Sequence, residues 1–154
     1  MEERNWYAAR RFNTSAVTEK YISNSGIEIF RTPQLRNFIF FHCDRQTIER
    51  LAFDLYGKLF VYHDPGERMP KAIPLAQMQS FILVTSCPGK VIPIPNPTPG
   101  FTCGQRVRVT GGMFKGAEGV IRRYKGNKRL IVSISGVVAV ATCYIHPSNL
   151  EAVE

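Results

Sequence analysis

QRVRVTGGMFKGAEGVIRRYKGNKRLIVSISGVVAVATCYIHPSNL, Gln105–Leu150, is the stretch that decides the fold. Arg106–Thr110 alternates polar and apolar residues, the period of a strand with one buried face. Gly111-Gly112 turns it, and Glu118–Tyr124, Arg129–Ile134 and Val137–Cys143 read as three further strands. Their junctions, Lys125-Gly126-Asn127-Lys128 and Ser135-Gly136, place glycine where hairpins need it. Short strands and glycine turns predict a small all-β domain of SH3-like barrel type over residues 105–154; closure would remove the exposed edges that so small a sheet cannot easily protect. The glycines are explained by tight corners. No GK[ST] and no following helix accompanies them, so they are not read as a phosphate cradle.

Upstream, Cys87–Gly104 holds Pro88, Pro93, Pro95, Pro97 and Pro99. Proline fixes φ and removes amide donors, so this segment is expected to be an extended, semi-rigid linker over 87–104. Residues 1–86 then form a separate domain in which strands and helices alternate. Trp6–Arg10 reads as a strand. Ser15 can cap a helix to about Asn24, with Val17, Tyr21 and Ile22 inward and Gly26 as its stop. Ile27–Arg31 is a second strand and Asn37–Cys43 (NFIFFHC) an aromatic third. Asp44 caps a helix whose Ile48, Leu51, Ala52 and Leu55 recur at helical spacing until Gly57. Lys58–Tyr62 is another strand, and Pro74 opens a third helix with Leu75, Met78 and Ile82 on one face. The order β-α-β-β-α-β-α suits an α+β fold, a ferredoxin-like sandwich.

The 154-residue chain carries a net charge of +8. Residues 1–99 contribute +3 and residues 100–154 contribute +5, so the smaller part is the more basic. Such a balance favours nucleic acid or an acidic protein surface as a partner. No apolar run approaches the roughly 20 residues of a membrane helix, and the acidic start MEERNWYAARRF has no signal-peptide pattern, so a cytoplasmic, membrane-free protein is expected. Cys43, Cys87, Cys103 and Cys143 form no close pair. Neither a metal site nor a cofactor is expected, and free thiols in a reducing compartment are the simpler reading. His42 and Cys43 would point to opposite faces of one strand. His63-Asp64 lacks any accompanying nucleophile motif, so an enzyme is not expected.

The pattern Val107-x-Val109-x-Gly111-x-x-x-x-Gly116-x-x-Gly119, followed by Val120 and Ile121, resembles a KOW motif. Trp6-Tyr7, a helix, Gly26-Ile27-Glu28-Ile29-Phe30 and then Leu35-Arg36-Asn37-Phe38-Ile39-Phe40-Phe41 resemble the N-terminal domain of NusG-type transcription elongation and antitermination factors. The resemblance runs through nearly the whole chain in the family's order. The tail from Val137 to Thr142, with Pro147 and Leu150-Glu151, is similar to the UpxY-type paralogues that act on polysaccharide operons. Two places depart from the family's pattern. Thr32-Pro33-Gln34 replaces a longer basic hairpin, and Arg36-Asn37 stands where a Pro-Gly pair is common.

The resemblance implies a nonenzymatic, monomeric factor that docks on the clamp helices of RNA polymerase through the N-terminal domain. Tyr7, Phe12, Leu35, Asn37 and Phe38 are the implied docking residues. Alternation places Phe38 and Phe40 on one side of their strand and Ile39 and Phe41 on the other, so one side packs under helices and the other is expected to help form an apolar docking face. Arg10, Arg11 and Asn13 lie where such factors approach nontemplate DNA. Arg106, Arg108, Arg122 and Arg123 are candidates for DNA or RNA phosphate. Arg106 and Arg108 share one face of their strand, whereas Arg122 and Arg123 do not. The KOW domain would recruit a ribosome or a termination factor. A ribosome-associated or RNA-binding KOW protein is the competing reading.

Overall fold

The computed structural model describes residues 3–12, 15–86, 91–94, 97, 100 and 103–153. The chain forms two compact units, Met1–Pro74 and Leu75–Glu154, each built on an antiparallel sheet.

In the first unit, β1 (Asn5–Arg11), β2 (Glu28–Phe30), β3 (Phe38–Cys43) and β4 (Leu59–Val61) pair in the order β2-β3-β1-β4, and the short β5 (Ala72–Ile73) also pairs with β1. Between the strands run α1 (Ala16–Asn24) and α2 (Arg45–Asp54). Both helices start as their sequences dictate. The Ser15 hydroxyl accepts from the Thr18 amide at 3.1 Å, and the Asp44 carboxylate accepts from the Thr47 amide at 2.7 Å. These are amides that a helix cannot satisfy internally.

Register assigns the strand faces. Tyr7 lies opposite Phe41, Ala9 opposite Ile39 and Asn5 opposite Cys43. This face joins Ile22 of α1 and Ile48, Leu51 and Leu55 in one core. Each fully buried side chain of that size contributes about 1.5–3 kcal/mol. In α2 the expected inward face holds, with Ala52 only half-buried. In α1 it does not: Val17 is 73% exposed and Tyr21 lies at the surface, while Thr18 and Ile22 point inward. The Ser15 hydroxyl also lies 2.9 Å from that of Thr18, so a polar cap pair occupies the inner side.

The second unit contains α3 (Leu75–Thr85) and a six-stranded sheet in the order β11-β7-β8-β9-β10-β6. Its strands are β6 (Val91–Ile94), β7 (Arg106–Val109), β8 (Glu118–Tyr124), β9 (Asn127–Ile134), β10 (Val138–Tyr144) and β11 (Leu150–Ala152). Val120, Ile131, Ala139 and Ala141 form a buried cluster on one face, and Leu130, Val132, Ile134, Val138 and Val140 are buried as well.

Here the structure differs from the boundaries read in the sequence. The chain divides before α3, not at the proline-rich segment. The reason is polar as much as apolar. The Ser80 hydroxyl accepts from the Glu118 amide at 3.0 Å, and Gln77 accepts from the Ser135 amide at 3.1 Å while donating to its hydroxyl. These bonds fasten α3 to β8 and to the end of β9. Met78, Phe81 and Val84 are its buried apolar residues, whereas Leu75 is exposed and Ile82 half-buried. Part of the expected linker is also paired: Val91–Ile94 is an edge strand on β10, with Pro93 opposite Val140. Proline is tolerated at a sheet edge because no further strand requires its missing amide.

Gly119 is a steric necessity. A Cβ built there would stand 2.2 Å from the Ile131 carbonyl oxygen. No side chain fits at that crossing of β8 and β9.

Candidate functional site

The sheet face of the first unit turned away from α1 and α2 carries aromatics. Arg10 lies directly opposite Phe38 on one side and Phe60 on the other. Phe38 stacks 6.2 Å from Tyr62, and Tyr62 meets Phe60 edge-on at 5.0 Å. Phe60 lies 6.4 Å from Phe12, whose amide donates to the Lys58 carbonyl at 3.0 Å. The result is a run of rings from a buried end to an exposed one. Phe38 is 4% exposed, Phe60 42% and Phe12 64%. Burial raises the pKa of the Tyr62 phenol, against the opposing pull of the Arg10 guanidinium that hydrogen-bonds it.

The implied docking residues therefore separate. Phe12 and Asn37 are at the surface. Tyr7, Leu35 and Phe38 are buried and present no exposed apolar face. Tyr7 belongs to the helix-covered core. Leu35 is folded inward by the 3₁₀ turn Pro33–Leu35, in which its amide donates to the Thr32 carbonyl. Phe38 lies between Phe40 and Tyr62. Phe60 was not singled out from the sequence. The signal was present in Lys58–Tyr62, where alternation sends Phe60 and Tyr62 to one face and Leu59 and Val61 to the other.

Among the basic candidates of this unit, Arg11 has a structural role. Its side chain is only 12% exposed, and its guanidinium pairs with Glu19 and donates to the Arg36 carbonyl at 3.0 Å. Arg31 approaches the same Glu19 at 2.8 Å. An arginine so engaged is not available to phosphate. Asn13 lies outside the described residues. His42 is held by Glu28 at 2.8 Å and stacks on Trp6, while Cys43 faces the core, where burial pushes its thiol up to about 11.

The candidate arginines of the second unit fall into two groups. Arg106 and Arg108 share a face, as alternation requires, but both reach Glu118 on β8, and Arg108 also pairs with Glu151 on β11 at 3.0 Å. Those carboxylates raise the pKa of Arg108 further above its ordinary value. Arg122 and Arg123 lie instead on the β8–β9 hairpin. Arg122 is directly opposite Arg129, and Arg123 directly opposite Lys128. Lys125-Gly126 makes the turn, with φ of 49° and 87°. Positive φ at both positions matches a two-residue turn with the twist a hairpin needs. Arg129 donates to the carbonyls of Tyr124 at 2.7 Å and Thr142 at 3.1 Å, and Arg122 donates to that of Gly100 at 3.3 Å.

No protein-family model matches the chain, and no curated protein matches it. A solved structure described as "Domain interaction in Thermotoga maritima NusG" is similar to 99% of this chain over 98% of its own, at 16% identity and a TM-score of 0.46.

Proposed function

We propose that the chain is a nonenzymatic transcription elongation factor of the NusG type, and that its first unit docks on the clamp helices of RNA polymerase through the exposed end of the aromatic run. The observation that carries this reading is the Phe12–Phe60 pair beside Arg10. Two exposed rings next to a cation, on a sheet whose opposite face is closed by helices, form an amphipathic surface suited to a protein partner. The order β2-β3-β1-β4 with both helices on one face supports a ferredoxin-like first unit. The antiparallel second unit, with Gly119 at a close strand crossing, supports the KOW reading of its motif. The likeness of residues 137–151 to UpxY-type proteins points to antitermination in polysaccharide operons. Docking that is tighter on the closed, processive polymerase shifts the population toward that state and suppresses pausing. The second unit recruits a further partner, and the factor works in the cytoplasm without metal or cofactor.

The test compares binding of wild type and the Phe12→Asp/Phe60→Asp double variant to a reconstituted bacterial elongation complex. Both positions are exposed, so the variant is expected to fold. The expected loss is tenfold or more, about 1.4 kcal/mol at least. Undiminished binding by the variant overturns the surface, and absent binding by wild type overturns the function.

A further inference from the structure

We propose that the β8–β9 hairpin is a duplex-DNA-binding ribbon that enters the major groove. From Gly119 to Leu150 the chain contains no Asp or Glu, yet residues 122–129 supply Arg122, Arg123, Lys125, Lys128 and Arg129. Cations directly opposite one another on paired strands repel and destabilise a hairpin. Two such pairs occur here, Arg122 with Arg129 and Arg123 with Lys128. Consecutive residues point to opposite faces, so each face of the ribbon carries one pair. A flat acidic protein surface would meet one face only. A slot with phosphates on both walls meets both.

The B-DNA major groove is such a slot, about 12 Å wide, and it admits a two-stranded ribbon. The major groove of A-form RNA is too deep and narrow to do so. The hairpin is built for insertion. Pairing of β7 with β8 reaches no further than Val120, and pairing of β10 with β9 ends at Arg129 opposite Tyr144. Beyond those points, among the described residues, the tip strands pair with each other, from Arg123 with Lys128 to Tyr124 with Asn127. The bonds of Arg129 to the Thr142 and Tyr124 carbonyls brace its base. Lys125 stands at the turn, 5.7 Å over the Tyr124 ring.

The test measures anisotropy of a labelled DNA duplex of about 20 base pairs, the matching RNA duplex and the single strands, titrated with the full chain over a salt series. No polymerase is present, so the outcome is independent of clamp docking. Wild type is expected to prefer the DNA duplex. Arg123→Gln/Lys128→Gln should lower the slope of log affinity against log salt by about 2, one unit per lost phosphate contact. Lys58→Gln/Arg68→Gln removes the same charge from the first unit and should change the slope by less than half as much. Equal or tighter binding to RNA duplex overturns groove insertion. An equal fall in both double variants, or no DNA binding at low salt, overturns the hairpin as the site.

Discussion

A methyl group on Gly119 would meet the Ile131 carbonyl at a distance no packed atom tolerates, because both sides of that contact are backbone in paired strands. Gly119→Ala is expected to destabilise the second unit by about 3 kcal/mol or more, since neither strand can yield without breaking the ladder. Gly126→Ala has open space around it and only a left-handed backbone to strain, so about 1 kcal/mol is expected. Urea unfolding of the two variants checks the order. The sequence pattern marked Gly119 as special but not why; the cause is a strand crossing, which no local pattern encodes. Burial makes a second residue-scale prediction. With its pKa at about 11, only about one Cys43 thiol in a thousand is ionised at pH 8, against roughly a quarter for an unperturbed cysteine. Iodoacetamide at pH 8 should therefore label exposed Cys103 in the native protein and reach Cys43 only on unfolding.

Helix starts were the most legible elements, because a cap is a local bond. Ser15 and Asp44 each stand immediately before the first helical residue and accept the amide three positions on. Ser15→Ala should cost about 1 kcal/mol in denaturant unfolding. Asp44 adds a pH dependence. The hydrogen bonds from Thr47 hold its carboxyl below the ordinary range, so its stabilising effect is present above the unfolded pKa and is lost as pH falls through the folded one. The difference in melting temperature between wild type and Asp44→Ala should therefore be full at neutral pH and shrink in acid below the ordinary carboxylate range. Helix faces were read less well. The α2 face followed its spacing, but α1 turned its polar cap pair inward and left Val17 outside. β5 and β11, of two and three residues, carry too little pattern to be seen alone; β5 pairs with the part of β1 that β4 does not cover, and β11 with the free edge of β7.

For the whole molecule, the two-part plan was legible and its seam was not. Prolines marked a break at 87–104, but the amides of Glu118 and Ser135 find their partners on α3, and a side-chain bond spanning 38 or 58 residues leaves no trace in local composition. Residues 75–154 produced alone should accordingly resist urea better than residues 87–154, which leave both amides without those acceptors. Charge was legible as a total and as an uneven division, but not in its neutralisation. Arg106, Arg108 and Arg11 are engaged by carboxylates on other elements, from 8 to 43 residues away in sequence. The absence of carboxylates between Gly119 and Leu150 has one more consequence. The positive charge of the hairpin sits on arginine and lysine side chains alone, and of these only the lysines can be acetylated. Lysine acetylation at Lys125 and Lys128 would be its graded control, each modification removing one positive charge while leaving the arginines in place.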